Sequence, residues 1–431
     1  MKAKNFFKAL ALALSVSLLA PIANKVSADE VTIERPEIIG EASITMDINT
    51  GEVIYSKNAD EKLSPASTTK LMTALLFAEN KNKTDILTFS DTTLKVKETA
   101  LNNYVDLSPG DTISAEDTMK SVLIFSANDT AYLMAESVAG TVANFVNMMN
   151  ERAKELGLEN THFVNPSGLE VDPLNPTSTD MNQTTAYDLA KISIAAYKND
   201  WIKDIISTKY KDTTINVNGY QMDLESRNKI LGEYNNVGGK TGTETLAGHC
   251  FVGFFDKDGR ELVTVVLKSE YGATGTNVFN DTKKVAEYSY SAEKEVYKNS
   301  GSEVGTVDLT YKTFIFFGPE KQITAPIYLT EDVLYYNNDF NNKYSSISYN
   351  GEIKNAWKLS TNKDVTLTYS TPGYSQDVSG KIQISVIDII KANLPVYILS
   401  LLIVLIAVAL IIVIIKIVNT RKRYKRRNRY Y

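Results

Sequence analysis

The sequence predicts an α/β (α+β) unit built on an antiparallel sheet with helices, followed by a small all-β domain and one C-terminal transmembrane helix. Three observations lead there. Strand hairpins and helix-spaced apolar runs share the stretch up to about residue 295. Strand-like runs punctuated by turn dipeptides fill residues 301 to 384. A run of 24 uncharged residues, Ala392 to Ile415, then closes the chain ahead of a basic cluster.

The first hairpin is read from Ser43-Ile44-Thr45-Met46-Asp47 and Glu52-Val53-Ile54-Tyr55, which flank Asn49-Thr50-Gly51. Pro65 precedes a helix running through Lys70 to Leu76, because proline suits the first turn of a helix. Apolar residues at helical spacing predict helices over Ala115–Phe125, Thr130–Leu156 and Ala186–Lys198. Beyond Lys240 the texture becomes strand-like: Cys250–Phe255 and Glu261–Leu267 surround the turn Asp256-Lys257-Asp258-Gly259. Thr282–Glu295 reads as a closing helix. In the β domain, Val307–Tyr311, Val333–Tyr336 and Val365–Tyr369 are strands, with Gly318-Pro319, Asn350-Gly351 and Pro372-Gly373 as the expected turns. No internal repeat is evident.

The two ends differ in kind. Lys2, Lys4 and Lys8, the apolar stretch Ala9–Ala20 and the small residues Val26-Ser27-Ala28 form a secretory signal over residues 1–28. At the other end, 24 helical residues reach about 36 Å, enough for a hydrocarbon core of about 30 Å. Seven cations between Arg421 and Arg429 follow, and the positive-inside rule places them in the cytoplasm. Setting them aside, with Lys2, Lys4, Lys8 and Lys25, takes the chain charge of −5 to −16 for residues 29–420. An acidic ectodomain argues against nucleic acid as a partner. With Cys250 as the single cysteine, no intramolecular disulfide forms, and its apolar neighbours predict a buried, inert thiol.

The chemistry sits in Ser67-Thr68-Thr69-Lys70, Ser126-Ala127-Asn128 and Lys240-Thr241-Gly242. Ser-x-x-Lys recurs at Ser226, Ser291 and Ser360, and Ser-x-Asn at Ser56, Ser226, Ser348 and Ser360, so neither pattern decides alone. Order and context do. A helix starting near Pro65 puts Ser67 in its first turn, where N–H groups without intrahelical partners can stabilise an oxyanion. Lys70 lies one turn on, on the same face. A serine needs a base within reach, and Lys70 serves only when neutral, which requires burial or a neighbouring cation such as Lys240. Ser126 is placed to pass a proton to a leaving amine, and Asn128 to anchor a substrate or Lys70; both, with Asp129, are also ordinary helix-capping residues. Glycines before Lys240 permit close approach of a ligand backbone, and the ammonium suits a terminal carboxylate. His162 and His249 are the only histidines, and neither stands in a nucleophile–base pattern. No metal cluster or phosphate loop is present in the sequence, so no cofactor is expected.

The set of three motifs is similar to that of penicillin-binding proteins and class A β-lactamases. The segments Leu63–Thr73 and Glu155–Pro166, with Gly168-Leu169, further resemble the serine-type D-alanyl-D-alanine carboxypeptidases, which are low-molecular-mass penicillin-binding proteins. The resemblance covers residues 38 to 290 well and the β domain loosely. It implies the penicillin-binding-protein/β-lactamase-like transpeptidase fold over 29–295, ahead of a β domain at 296–388, the span at 392–416 and a basic tail at 417–431. It implies acylation of Ser67, Lys70 as base, proton relay by Ser126, and substrate binding by Asn128, Lys240, Thr241, Gly242 and Thr243. The implied oxyanion donors are the backbone N–H groups of Ser67 and Thr243. The implied partners are peptidoglycan stem peptides and, as covalent inhibitors, β-lactams, with the enzyme tethered outside a bacterial cell membrane. Two departures stand out: Ala127 occupies a position where the family commonly has glycine, which would narrow the space beside Asn128, and a full span replaces the usual amphipathic helix. A serine β-lactamase is the nearest alternative, with Glu170 and Leu174-Asn175 one residue too long for the class A Glu-x-x-Leu-Asn pattern. A non-catalytic wall-binding or sensor protein is the other.

Overall fold

Ser43–Lys57 folds back on itself as the hairpin β1 (Ala42–Asp47) and β2 (Val53–Lys57), opening a five-stranded sheet. The computed structural model describes residues 34–207, 212–351, 355–361 and 363–427, so the expected signal segment lies outside the described residues. After a short 3₁₀ turn (Ala66–Thr69) comes α1 (Lys70–Asn80), buried on every side from Lys70 to Phe77. A helix apolar all round belongs in an interior rather than on a surface. The predicted Thr130–Leu156 helix is two helices, α2 (Asn128–Ala139) and Val142–Glu155. Gly140 at φ +74 ends the first, and the Thr141 hydroxyl caps the second by accepting from Asn144 N–H. The first helix is buried at every position from Asn128 to Ala135, whereas the second buries a single stripe, Phe145, Met149 and Ala153.

The sheet is completed by β3 (Asn236–Glu244), β4 (Gly248–Lys257) and β5 (Arg260–Ser269), in the order β2-β1-β5-β4-β3, every neighbouring pair antiparallel. The tight turn between β4 and β5 is Asp258-Gly259, both at positive φ, as a two-residue hairpin requires. Side chains alternate across β4 and β5. Val252, Phe254, Val263, Val265 and Leu267 enter the core that contains α1, whereas Phe251, Phe255, Leu262 and Val266 pack with Val278, Phe279 and Ala286 of α3 (Asn277–Ser291). The sheet is thus covered on both faces, which is why its central strands read as continuous apolar runs. α3 begins earlier and ends sooner than predicted, because Glu295–Lys298 pairs with Val333–Tyr335 as a short ladder.

A second five-stranded antiparallel sheet follows, ordered 303–314, 317–329, 374–382, 364–371, 346–348, with its own core of Leu309, Ile327, Leu367, Val378 and Ile382. It docks on the first through the short helix Asp339–Tyr344. Asn341 Nδ2 donates to the Val53 carbonyl at 2.8 Å, and the Phe340 ring stacks on Tyr187 at 4.7 Å. One expected turn is misplaced: Gly318-Pro319 lies inside the strand Phe317–Leu329, and the chain reverses at Ile315-Phe316 instead. The last helix, α4 (Leu394–Arg427), exposes its apolar side chains along its length and is long and apolar enough to cross a membrane.

Candidate active site

The nucleophile turn is held by close backbone packing from two sides. Ala66 adopts φ +48, a left-handed conformation disfavoured for a residue with a Cβ, directly before Ser67. On one side Gly242 of β3 lies so near that a Cβ there would sit 2.9 Å from the Pro65 carbonyl and 3.0 Å from Ser67 N. On the other, a Cβ on Gly168 would overlap the Ala66 carbonyl at 1.8 Å. The strained turn is therefore wedged between β3 and the loop Asn165–Leu169, and strain of this kind collects at functional sites. Asn165 ties that loop together: its Oδ1 accepts from Ser167 N–H at 3.1 Å and Gly168 N–H at 2.7 Å.

Lys70 is fully buried behind Ser67. Its Nζ lies 2.7 Å from Ser67 Oγ, 2.7 Å from Asn128 Oδ1 and 2.8 Å from the Ser167 carbonyl. An ammonium has three N–H donors, so this cradle satisfies it; a neutral amine keeps two donors for Asn128 and Ser167 and turns its lone pair to the Ser67 hydroxyl. Burial is the main force lowering Lys70, to about 7, with the Glu244 carboxylate opposing it and the Arg227 guanidinium assisting. Of the two routes expected for a neutral Lys70, burial or a neighbouring cation, burial leads, and the assisting cation is Arg227 rather than Lys240. The repulsion between the lysines is felt at Lys240, which burial, Lys70 and Arg227 hold well below the usual lysine range.

One turn of π-helix (Ser121–Phe125) leads into Ser126, which sits at φ +73 and ψ 32, a left-handed position for a non-glycine residue. Such turns recur at functional sites. Lys240 Nζ donates to Ser126 Oγ at 2.9 Å and to the Thr241 carbonyl at 2.9 Å, joining the second motif to the third. Asn128 is spent on positioning. Its Oδ1 accepts from Lys70, its Nδ2 donates to the Glu98 carbonyl at 2.7 Å, and its backbone N–H donates to the Thr99 carbonyl at 2.9 Å. Asp129 accepts from Leu101 and Asn102 N–H at 3.0 and 3.1 Å, so the first turn of α2 fixes the wall formed by residues 98–102. The helix is capped by Ala127, with no side-chain cap, so the capping reading of Ser126, Asn128 and Asp129 does not describe this turn. Ala127 has φ −57, is buried in the helical core and does not line the cavity.

These groups line one cavity of about 320 Å³ that contains Ser67, Ser126, Asn128, Thr241, Gly242 and Thr243. Lys240 stands behind Ser126 rather than in the lining. The sequence reading missed the cavity's charged residues, Glu98, Arg227, Lys229 and Glu244. Burial raises the Glu244 carboxyl to about 7, with the Glu98 and Glu170 carboxylates adding to it, and Arg227 lies over the Phe125 ring at 5.1 Å. His249 also lines the cavity, its ring tilted against Tyr271 with centroids 4.1 Å apart, and burial lowers its imidazole pKa. The base in reach of Ser67 is Lys70, not a histidine. Glu170 accepts from Leu246 and Ala247 N–H at 2.6 and 2.9 Å and braces the β3–β4 turn. Cys250 is buried, and burial pushes its thiol up to about 12.

The model of the D-alanyl-D-alanine carboxypeptidase family matches residues 29–270. The chain is 34% identical over 282 residues to the Escherichia coli (strain K12) D-alanyl-D-alanine carboxypeptidase DacC, covering 63% of this chain and 66% of that protein. It is 33% identical over 230 residues to DacF of Bacillus subtilis (strain 168), covering 52% and 56%. The match thus spans less than two thirds of the length of these curated relatives. Among solved structures, penicillin-binding protein D2 from Listeria monocytogenes in its ampicillin-bound form has a TM-score of 0.52 at 28% identity, over 59% of this chain and 99% of that one.

Proposed function

The chain belongs to the D-alanyl-D-alanine carboxypeptidase family, and from that premise we propose that it removes the terminal D-Ala from peptidoglycan stem peptides through an acyl-Ser67 intermediate. The observation that carries this reading is the buried Lys70 Nζ, held 2.7 Å from Ser67 Oγ with its other two contacts on Asn128 and Ser167. Neutral Lys70 takes the hydroxyl proton as Oγ attacks the carbonyl of the penultimate D-Ala. Charge developing on that oxygen is met by the N–H groups of Ser67 and Thr243. The C–N bond breaks, and the departing amine of D-Ala takes a proton relayed by Ser126 Oγ, itself held by Lys240. Water then hydrolyses the ester.

The substrate's terminal carboxylate supplies the counter-charge that Lys240 lacks in its buried setting, with Thr241 and Thr243 beside it. β-Lactams are read as covalent inhibitors that acylate the same oxygen. Separate main cores support a catalytic unit to residue 295 and a β unit from 296, with Phe340 and Tyr336 of the β unit packed into the catalytic side. α4 is taken as a single span, with the basic residues after it on the cytoplasmic side and the cleft facing the wall. Full-length protein in detergent is expected to release D-alanine from a D-Ala-D-Ala-terminated peptide, and Ser67→Ala to release none. Equal release by both proteins would refute the assignment.

A further inference from the structure

The misplaced hairpin turn carries information. Two-residue hairpin turns ordinarily use asparagine, aspartate or glycine. Here Ile315 and Phe316 form the tip and Phe314 and Phe317 flank it, with Ile315, Phe316 and Phe317 exposed by 54%, 84% and 65%. Neither Ile315 nor Phe316 takes positive φ, and Gly318 at φ +100 supplies the bulge beside them, so the turn itself is ordinary; what asks for an apolar environment outside the chain is the exposed apolar run at its tip.

The position of the tip identifies that environment. Phe314 stacks on Phe317 at 4.9 Å and meets Tyr397 edge-on at 5.4 Å, and Tyr397 OH donates to the Thr313 carbonyl. Tyr397 lies three residues into α4, about 4.5 Å along its axis. Asn393, just before α4, is fastened to the same hairpin, donating to Tyr311 OH at 2.8 Å and accepting from Lys321 Nζ at 2.8 Å. The tip therefore stands level with the start of the apolar span. The short helix Val386–Ala392 exposes Val386, Ile387 and Ile390 beside it, and an open apolar groove of about 590 Å³ between helix and tip is floored by Trp357. The apolar surface stops at a charged boundary: Lys312 pairs with Glu320 and Tyr311 with Lys321, just behind the tip. An aromatic tip with Lys312, Glu320 and Lys321 just behind it matches the interface between headgroups and acyl chains.

We infer that the Phe314–Phe317 hairpin tip and the Val386–Ala392 helix dip into the outer leaflet of the membrane that α4 crosses, forming a second, lipid-facing attachment beside the span. This rests on the reading of α4 as a span, and the test separates the two. Full-length protein in lipid nanodiscs carries one added cysteine at a time, Phe316→Cys, Ile315→Cys, Leu405→Cys in mid-span or Tyr220→Cys at an exposed position of the catalytic unit's strand Tyr220–Glu225, each labelled with an environment-sensitive fluorophore. The native thiol is buried, and unsubstituted protein serves as the labelling blank. Acyl-chain spin labels are expected to quench the 315, 316 and 405 probes at least about twofold and to spare 220. With Trp201, the other tryptophan, replaced by phenylalanine, Trp357 emission is quenched as well. Quenching at 405 but not at 315, 316 or Trp357 overturns the second attachment and leaves the span standing. No quenching at 405 overturns both. A blue-shifted but unquenched probe at 316 shows a protein rather than lipid on the tip and overturns the inference too.

Discussion

Asn128→Asp tests the base assignment with almost no change in shape. Asn128 Oδ1 lies 2.7 Å from Lys70 Nζ, and both side chains are buried. A carboxylate at that point stabilises the ammonium, and an opposite charge this close shifts a pKa by about 1 to 3 units. Lys70 starts at about 7, so about half of it is neutral at pH 7. A rise of about 2 units leaves about 1% neutral, and acylation at pH 7 slows about 50-fold. The assay is the second-order rate of Ser67 labelling by a fluorescent penicillin from pH 6 to 10, on full-length protein in detergent. The native protein is expected to gain rate through about pH 7, and Asn128→Asp to do so about 2 units higher, recovering most of the native rate at high pH. If the two profiles superimpose, or if the variant is equally slow at every pH, Lys70 is not the titrating base and the reasoning fails.

Gly242→Ala places a methyl 2.9 Å from the Pro65 carbonyl and 3.1 Å from Ala66 Cβ, so β3 must move away from the nucleophile turn. We expect labelling to slow at least about tenfold and stability to fall by about 1–3 kcal/mol, read by penicillin labelling and thermal melts. Lys70 also makes stability depend on pH. Its folded value of about 7 lies below the ordinary 10.5, so between those values the unfolded chain binds more protons and stability rises with pH. The Lys70 share of the slope is at most about 1.4 kcal/mol per unit, and Lys70→Met removes that share while Lys240 keeps its own, so melting curves at pH 7 and 10 will show a smaller rise in the variant. Glu170→Gln leaves the lifetime of the penicilloyl adduct within about twofold, because that side chain braces backbone rather than activating water. A large change in adduct lifetime would favour the β-lactamase alternative.

Much of this site was legible because its parts are local or fixed by one helix turn. Ser67 and Lys70 are three residues apart, and the structure keeps them at 2.7 Å. The contacts that tune Lys70 come from distant segments. The Ser167 carbonyl arrives on a loop whose residues were recognised by resemblance but given no task, and backbone acceptors leave no mark on residue type. Left-handed Ala66 and Ser126 were equally hidden, since neither residue type advertises positive φ. Pocket carboxylates and Arg227 carry no motif; only the folding of 98–102, 227 and β3 around one cavity collects them. In the fold, the β4–β5 hairpin was plain from Asp258-Gly259, whereas Gly318-Pro319 misled because the real reversal falls on Ile315-Phe316, residues that carry no turn signature.

The central claim is that Ser67 is the acylated oxygen, served by Lys70. Its most direct test is peptide mapping by mass spectrometry after full-length protein is mixed with penicillin. The account predicts one penicilloyl adduct, on the peptide carrying Ser67, absent from Ser67→Ala and formed far more slowly by Lys70→Met. An adduct on another residue, or one that survives Ser67→Ala, would contradict it.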